Sequence, residues 1–339
     1  MAYSTRTRSG KLRCDVCPQR CVLSDGERGV CFVRQRIGDE IVSTTYGRAA
    51  GFAVDPIEKK PLYHFLPGTT AFSFGTAGCN LACRFCQNWH LSHARSVDDT
   101  AATVSPSDVV DAAVRHNCAS VAFTYNDPVV FLEYAIDTAA VCRERGLSPV
   151  AVTAGFIHGN ARADFFTAMD AANIDLKAFT DEFYRAYCNA RLAPVLETLK
   201  YVQHETSCRL EITTLLIPGL NDGPDELTAM AAWVHRELGA DTPWHFSAFH
   251  PSGELMHVPR TPVHTLLKAR KIARAAGMRY VYIGNARVDD GGTTFCPSCA
   301  HPVVTRESYV AGDFRLDASG RCAACGTPIP GVWTRPHEA

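Results

Sequence analysis

The chain has 339 residues, of which 46% are hydrophobic and 20% are charged, and its formal net charge at pH 7 is −1. This composition is sufficient for a large core and argues against disorder, while the lack of a basic stripe argues against nucleic acid as an obligatory partner. The polar first segment, residues 1–11, has no apolar stretch of a signal peptide, and no apolar run approaches the ~20 residues of a membrane helix. We therefore expect a cytoplasmic protein of about two domains that does not enter membranes.

Strand-like and helix-like segments alternate through the middle of the chain. A predicted strand at 71–75 is followed by a cysteine-rich loop. Ser105 as N-cap and Pro106 at the first helical position begin a predicted helix that ends at His116. The later predicted strands are 120–125, 149–153, 174–178, 209–217, 245–249 and 279–283. The later predicted helices are 129–145, 161–169, 181–204 with a break near Pro194, 224–238 and 262–276.

This alternation is typical of parallel βα units. Because the count is about six rather than eight, it predicts an α/β fold in the form of a partial (β/α)6 barrel, with a doubly wound open sheet as the competing fold. We expect a Cys-rich N-terminal region at 1–68, the core barrel at 69–288 and a zinc-ribbon-like C-terminal segment at 289–339. In barrel enzymes the catalytic groups lie at the carboxyl ends of the strands, which is where the polar residues of this chain are concentrated.

The 15 cysteines form three groups and four single residues. In a cytoplasmic protein the thiols stay reduced, so we do not expect disulfides. The single residues are interpreted as small buried hydrophobic side chains. They are Cys118, Cys142, Cys188 and Cys208.

The middle group, here called the loop cysteines, is Cys79, Cys83 and Cys86 in a C-x3-C-x2-C spacing. A cubane iron–sulfur cluster normally takes four thiolates, so three would leave one iron open to a small molecule with an amine and a carboxylate. The methionine end of S-adenosylmethionine (SAM) offers that pair, and SAM with an iron–sulfur cluster is a source of radical chemistry. The alternatives are ordinary buried cysteines or a zinc site completed by His90 or His93.

These three cysteines, with Phe85 before the last of them, resemble the signature of the radical SAM superfamily. The longer string GCNLACRFCQNW at 78–89 resembles a narrower group, the radical SAM enzymes of the AmmeMemoRadiSam system, which are similar to pyruvate formate-lyase activating enzymes. The resemblance extends from about Cys14 to Trp333 and favours the partial barrel.

The resemblance implies a 4Fe-4S cluster that reductively cleaves SAM to methionine and a 5′-deoxyadenosyl radical, which then abstracts hydrogen from a substrate. It implies a flavodoxin or ferredoxin as the reductant. It also implies work alongside AMMECR1-like and MEMO-like proteins, and it does not name the substrate.

Three residues near the loop are candidates for contact with SAM. The aromatic face of Phe85 is suited to pack on the adenine or to shield the cluster from water. Asn126 and Asp127 stand where the superfamily carries a Gly-Gly-Glu type of motif, which the resemblance assigns to the SAM amino group. Asp127 is one methylene shorter than the Glu of that motif, so the backbone carbonyls of the motif are the alternative contact.

Three further candidates lie on later strands. Asp175 and Lys177 resemble the D-x-K motif of glycyl-radical-enzyme activases, and residues two apart on a strand share a face. They suit a zwitterionic or ribose-bearing ligand, with a structural ion pair as the alternative. His250 resembles a late-strand histidine found near SAM in the activases, and the alternative is a loop residue that makes one hydrogen bond.

The last group, here called the C-terminal cysteines, consists of two C-x2-C pairs, Cys296 with Cys299 and Cys322 with Cys325. This spacing resembles a zinc ribbon, and four thiolates predict a closed structural zinc site. A rubredoxin-like iron or an auxiliary iron–sulfur cluster is the alternative.

The first group, here called the N-terminal cysteines, is less regular. It consists of Cys14, Cys17, Cys21 and Cys31. We expect these residues to bind a metal, either as a zinc knuckle or as an auxiliary iron–sulfur cluster that relays electrons, with purely structural cysteines as the alternative.

The leading functional prediction is a radical SAM enzyme of the AmmeMemoRadiSam type. A glycyl-radical-enzyme activase, which would act on a backbone glycine of a partner protein, is a second prediction that Asp175 and Lys177 favour. A non-enzymatic metal-binding interaction protein or electron carrier is the third, and it would neither bind nor cleave SAM.

Overall fold

A computed structural model of the chain describes residues 3–95 and 102–334. The strands are β1 (Ser4–Arg6), β2 (Leu12–Cys14), β3 (Val22–Leu23), β4 (Arg34–Ile37), β5 (Glu40–Ser43), β6 (Arg48–Pro56), β7 (Thr70–Gly75), β8 (Ala102–Thr103), β9 (Ser120–Phe123), β10 (Ser148–Thr153), β11 (Ala171–Asp175), β12 (Arg209–Leu216), β13 (Trp244–Ala248), β14 (Val281–Gly284), β15 (Thr294–Phe295), β16 (Pro302–Glu307) and β17 (Val310–Phe314). The α-helices are α1 (Trp89–Ser92), α2 (Pro106–Arg115), α3 (Leu132–Glu144), α4 (Gly159–Ala168), α5 (Asp181–Cys188), α6 (Leu192–Glu205), α7 (Pro224–Leu238) and α8 (Val263–Ala275).

The central sheet has nine strands in the order β14-β13-β12-β11-β10-β9-β7-β6-β8. Strands β7 and β9 to β14 are parallel, and β6 and β8 continue the sheet as antiparallel strands beyond β7. The parallel strands follow one another in chain order, whereas a doubly wound sheet reverses direction at a switch point. This order therefore excludes the doubly wound alternative.

Six helical connections join the seven parallel strands, so the predicted α/β fold with six βα units is confirmed. The sheet does not close on itself, because β14 and β8 are its edges among the described strands. The carboxyl ends of the parallel strands share one edge, and the cysteine loop, residues 76–88, follows β7 at that edge.

Local sequence signals explain where the helices begin and end. The N-cap of α2 is Ser105, whose hydroxyl accepts the Asp108 N–H in a capping box, as the sequence predicts. The predicted helix at 181–204 is two helices, and the break lies at Asn189, which adopts a left-handed conformation with φ of 51°. Pro194 falls in the first turn of α6, where its missing N–H leaves no hydrogen bond unmade.

The N-terminal region is built from small antiparallel pieces. Strands β1 to β3 form one sheet, and β4 pairs with β5 in a hairpin. Cys14, Val16, Cys31 and Val33 belong to the same buried core as Phe74 of the central sheet. The N-terminal region is therefore attached to the barrel by a shared core.

The C-terminal region, with strands β15 to β17, packs on the barrel through aromatic side chains. Tyr63, Tyr280 and Tyr282 form a buried cluster with Cys296 and Cys322. Beside this cluster, Arg306 is buried against Glu58, with 3.6 Å between Nε and Oε1 and both side chains 0% exposed. Across residues 3–95 and 102–334, we find no helix with the length and apolar character that crossing a membrane requires.

Candidate active site

The first cysteine of the loop follows a glycine that no other residue can replace without a shift in its surroundings. Gly78 has φ of +79°, in the left-handed region. A Cβ at this position would lie 2.3 Å from the carbonyl oxygen of Cys31 and 2.8 Å from Cγ1 of Val33. The loop therefore lies directly on the N-terminal region, one residue before Cys79.

Backbone N–H groups point at two of the loop sulfur atoms. Leu81 and Asp127 donate to Sγ of Cys79, and Asn88 donates to Sγ of Cys86. The Ser92 hydroxyl is a further neighbour, 3.2 Å from Sγ of Cys86. Burial nevertheless raises the pKa of both thiols, so the N–H groups alone do not ionise them. This donor set fits thiolates that a metal cluster holds deprotonated.

Cys83 lies near Cys79 and Cys86, since its charge raises the pKa of both thiols. The structure also places Cys188 against it, and the hydrogen bond between these two side chains, followed by burial, raises the pKa of Cys83 well above its usual value. The backbone fixes this contact, because the carbonyl of Cys188 accepts the Ala82 N–H at 2.9 Å. Cys188 was interpreted as a lone buried residue, and nothing in its local sequence indicates a place beside the loop cysteines.

Asp175 and Lys177 meet at the end of β11, where Nζ of Lys177 lies 2.7 Å from a carboxylate oxygen of Asp175. The Lys177 side chain is 13% exposed, and Nζ lies 5.9 Å from the ring centroid of Phe85. Burial opposes the charge, but Asp175 and the sulfur atoms of Cys83 and Cys188 outweigh it and hold the pKa of Lys177 well above its usual value. A charged ammonium group therefore stands next to the loop cysteines.

Phe85 is 5% exposed, and its ring centroid lies 5.8 Å from that of Phe183. The ring is therefore part of the core beneath the loop. This placement favours the shielding role over an open platform for adenine.

The side chains of Asn126 and Asp127 are occupied within the protein, in contrast to the cofactor contact expected of them. Asn126 accepts the Thr76 N–H at 2.9 Å and donates to the Gly78 carbonyl at 2.7 Å, so it braces the start of the loop. The Asp127 carboxylate accepts the N–H groups of Val129 and Ala154 at 3.1 and 2.9 Å. The backbone is engaged as well, since the Asp127 carbonyl accepts the Val130 N–H at 3.1 Å and the Tyr125 carbonyl accepts Nδ2 of Asn88 at 2.8 Å. Contact of this segment with SAM stays a prediction.

His250 follows β13 on the same edge of the sheet and is partly exposed. Its Nε2 lies 3.4 Å from the carbonyl oxygen of Asn285. The segment after it touches the cysteine loop, since the Glu254 N–H donates to the Arg84 carbonyl at 2.6 Å and their side chains form an ion pair at 2.7 Å. His250 thus stands on the rim, at the base of a segment that covers the loop.

The alternative zinc ligands for the loop cysteines do not meet them at zinc distances. His93 stacks on Trp89 with ring centroids 3.5 Å apart, and its Nδ1 lies 3.0 Å from the Ser92 hydroxyl. His90 is exposed. Among the described residues, neither histidine belongs to a group of three or more ligand atoms within 4.8 Å of one another.

The C-terminal cysteines form a compact group. All four sulfur atoms lie within 4.8 Å of one another, and two of the separations are 3.5 and 3.8 Å. Thiolates on one tetrahedral ion with bonds of ~2.3 Å lie about 3.8 Å apart, so the spacing fits a single metal ion. The four cysteines that the C-x2-C pairs predicted to act together therefore form one group that could hold a metal ion.

The N-terminal cysteines also meet, but around a cavity. The cavity is small, about 20 Å³. Its lining includes all four cysteines together with Asn80 of the cysteine loop. The structure therefore brings the first and second cysteine groups to opposite sides of one loop.

Comparisons with known proteins agree with this arrangement. The family model of the radical SAM superfamily matches residues 74–232, which include the loop cysteines, Asp175 and Lys177. The uncharacterized protein MJ0808 of Methanocaldococcus jannaschii is 40% identical over 320 residues, which is 94% of this chain and 95% of that protein.

Two solved structures share the fold at low sequence identity. A radical SAM methyltransferase from Sphaerobacter thermophilus aligns with a TM-score of 0.51 and 15% identity, over 65% of this chain and 68% of that one. SuiB of Streptococcus suis, in a structure with bound S-adenosylmethionine, aligns with a TM-score of 0.50 and 10% identity, over 68% of this chain and 53% of that one.

Proposed function

Because the chain belongs to the radical SAM superfamily, we propose that it is an enzyme in which Cys79, Cys83 and Cys86 hold a 4Fe-4S cluster whose open iron binds SAM. One observation carries the proposal: three cysteines in one short loop lie at the carboxyl edge of six βα units, beside the charged pair of Asp175 and Lys177. When bound, the cluster supplies one electron that cleaves SAM to methionine and a 5′-deoxyadenosyl radical, which abstracts hydrogen from a substrate.

The protein's own residues position and shield this chemistry. Asn126 and Gly78 fix the loop, and the N–H groups of Leu81 and Asp127 stabilise the Cys79 thiolate. Phe85 closes the core side of the loop against water, which protects a reactive radical from side reactions.

Lys177 and Asp175 are proposed to bind the polar part of SAM. The Lys177 ammonium stays charged because Asp175 pairs with it, and both groups lie at the mouth of the barrel. An ammonium and a carboxylate complement a ligand that carries both charges or a ribose. His250 stands on the same rim and is proposed as a further contact.

The finer assignment is to the AmmeMemoRadiSam type, which the string at 78–89 supports. On this assignment the enzyme takes electrons from a flavodoxin or ferredoxin and works with AMMECR1-like and MEMO-like proteins. The C-terminal cysteines are proposed to hold a structural zinc ion, since sulfur separations of 3.5 and 3.8 Å suit one tetrahedral ion.

A glycyl-radical-enzyme activase is the second candidate function. The D-x-K motif favours it, since the ion pair of Asp175 and Lys177 stands next to the loop cysteines. In that case the hydrogen donor is a backbone glycine of a partner protein. A glycyl radical, detected by electron paramagnetic resonance (EPR) in a candidate partner incubated with enzyme and SAM, would distinguish this function from action on a small molecule.

The test of the main proposal uses full-length protein that is reconstituted with iron and sulfide without oxygen and reduced with dithionite. SAM is added and 5′-deoxyadenosine is quantified. We expect it to form with the unsubstituted chain and to vanish in Cys83→Ala. The matched control is Cys142→Ala, which removes a sulfur atom from a fully buried position on α3, outside the cysteine loop.

Equal formation of 5′-deoxyadenosine by Cys83→Ala and Cys142→Ala would contradict the role of the loop cysteines. A chain that neither binds nor cleaves SAM would instead be a metal-binding interaction protein or an electron carrier.

A further inference from the structure

The N-terminal cysteines surround a buried cavity that lies outside the proposed SAM site. The space that the four side chains enclose is small, about 20 Å³. Cys14 and Cys31 are buried, and Cys17 and Cys21 are partly buried. Arg34 and Asn80 also line this cavity.

Backbone N–H groups act on each sulfur atom of this group. The Val30 N–H donates to Sγ of Cys21 at 3.4 Å, and the N–H groups of Val16, Gln19 and Val33 favour the thiolate forms of Cys14, Cys17 and Cys31. In three cases the donor is two residues after the cysteine, as it is for Cys79 and Cys86. An N–H group that points at sulfur stabilises a thiolate.

Two single cysteines show the opposite arrangement. The Cys118 thiol donates to the carbonyl of His116 at 3.9 Å, and the Cys208 thiol donates to the carbonyl of Arg209 at 4.0 Å. A thiol that donates is protonated and inert. Burial raises the pKa of the Cys14, Cys17 and Cys31 thiols, as it does for the loop cysteines, so a bound metal has to hold them deprotonated. Their N–H neighbours still distinguish them from Cys118 and Cys208.

The separation of the sulfur atoms distinguishes a cluster from a single ion. Among the described residues, the C-terminal cysteines form the only group of three or more metal-ligand atoms within 4.8 Å of one another. No three of the N-terminal sulfur atoms lie within 4.8 Å of one another. In a cubane each thiolate binds a different iron, so the whole iron–sulfur core lies between the thiolates.

Arg34 supplies an independent indication of a ligand. Its side chain is 3% exposed, and its two terminal nitrogens donate to the carboxylate of Glu133 at 2.6 Å each. The N–H of its third nitrogen, Nε, has no hydrogen-bond partner among the described residues. Arg34 lines the cavity, and Cys14 and Cys31 interact with its charge. A buried donor without a partner costs free energy, and the sulfide of a cluster would accept it.

We propose that Cys14, Cys17, Cys21 and Cys31 hold a second iron–sulfur cluster of the cubane type, next to the loop cysteines. Two contacts connect the sites. A Cβ on Gly78 would touch the Cys31 carbonyl, and Nε2 of Gln19 donates to the Asn80 carbonyl at 3.2 Å. Gly78 and Asn80 flank Cys79, so the second cluster stands one loop away from the first.

This position suits one-electron transfer, a role that rests on the function proposed above. The second cluster accepts one electron from a reduced ferredoxin or flavodoxin and passes that electron to the iron held by the loop cysteines. No bond forms or breaks in this step, and the donor is oxidised by the one electron that the loop site gains.

The test counts metals in two forms of the full-length chain after reconstitution with iron and sulfide. The unsubstituted chain is expected to contain about eight iron and eight sulfide ions, and Cys79→Ala/Cys83→Ala/Cys86→Ala is expected to retain about four of each. Addition of Cys17→Ser to the triple variant is expected to abolish the rest. Addition of Cys142→Ser instead is the matched control and is expected to leave the iron unchanged.

The outcomes separate this proposal from the function proposed above. About four iron ions in both the unsubstituted chain and the triple variant would support the second cluster and contradict the loop cluster. About four in the unsubstituted chain and none in the triple variant would overturn the second cluster, as would a second zinc ion per chain in place of iron.

Arg34→Lys tests the assignment without removing a ligand, in case the cysteine variants fail to fold. It keeps the charge that pairs with Glu133 but removes the Nε–H group. The midpoint potential of the second cluster, followed by its EPR signal during a redox titration, is expected to become more negative, because a hydrogen bond to cluster sulfur raises the potential. If the midpoint potential of the second EPR signal is the same in Arg34→Lys, Arg34 does not donate to the cluster. If no second reducible EPR signal is found, the second cluster itself is contradicted.

Discussion

The N-terminal and C-terminal cysteines are both groups of four, but their surroundings differ. The C-terminal sulfur atoms lie within 4.8 Å of one another, with Cys299 and Cys325 exposed to solvent. No three of the N-terminal sulfur atoms lie that close together, and the four cysteines line a cavity that borders the cysteine loop. The number of thiols is therefore a poor guide to their function, whereas the distances between the sulfur atoms and the groups beside them are informative.

The largest expected effect is that of Gly78→Ala, which disrupts the contact between the N-terminal region and the cysteine loop. The added Cβ would lie 2.3 Å from the Cys31 carbonyl oxygen, so the backbone of one cysteine group or the other has to move. We expect loss of most iron from both proposed clusters and retention of the C-terminal metal. Metal analysis after reconstitution measures the two independently.

Gly219→Ala is the matched control, because Gly219 has φ of +75° but no atom within 4 Å of its Cβ position. An alanine at this position has the strain of a left-handed backbone, ~1–2 kcal/mol, but no steric clash. Equal iron loss in both variants would mean that general destabilisation, rather than the contact at Gly78, releases the iron.

An intermediate effect is expected from Cys322→Ser, which removes one ligand from the C-terminal group. Loss of a structural metal destabilises the segment that it orders, so we expect the melting temperature to fall by roughly 5 °C or more and the bound zinc to be lost. Iron content and the EPR signals of the reduced protein should stay the same. A parallel loss of iron would contradict the separation between the C-terminal cysteines and the other two groups.

The smallest effect is expected from Gln19→Ala, which removes two hydrogen bonds, from Nε2 to the carbonyls of Asn80 and Asn189 at 3.2 and 2.7 Å. Each is worth about 1 kcal/mol. We expect both iron sites to fill but 5′-deoxyadenosine to form more slowly, by up to about tenfold, because small shifts of a catalytic loop reduce rates.

The matched control for this variant is Gln35→Ala. Gln35 also donates one side-chain hydrogen bond, to the Gly26 carbonyl at 3.0 Å, but it lies away from the cysteine loop. A similar loss of rate in Gln35→Ala would mean that the contact of Gln19 with the cysteine loop has no special role in catalysis.

The parts of this structure that the sequence predicted are those with local signals. Alternating apolar segments located every parallel strand, although β11 begins and ends three residues before the predicted strand at 174–178. Ser105 as N-cap correctly placed the start of α2, because this signal depends on neighbouring residues. The close spacing of Cys79, Cys83 and Cys86 likewise indicated a shared ligand before any fold was known.

What the sequence did not predict depends on contacts between distant segments. Cys188 lies against Cys83 only because α5 folds back over the loop, and Arg34 finds Glu133 across the N-terminal interface. The same holds for Asp127, whose position matches a family motif but whose carboxylate is used by the backbone of Ala154. A motif identifies the position of a residue, and the tertiary contacts decide which of its atoms remain available.

The aromatic contact between the C-terminal region and the barrel limits how the protein can be shortened. Removal of residues 289–339 would expose Tyr280 and Tyr282 to water and would leave the carboxylate of Glu58 buried without the guanidinium of Arg306. An apolar patch favours aggregation, and a buried charge that loses its partner is strongly destabilising. A trimmed barrel would therefore be an insoluble or unfolded product rather than a minimal enzyme, and the C-terminal region belongs to the folding unit of the barrel.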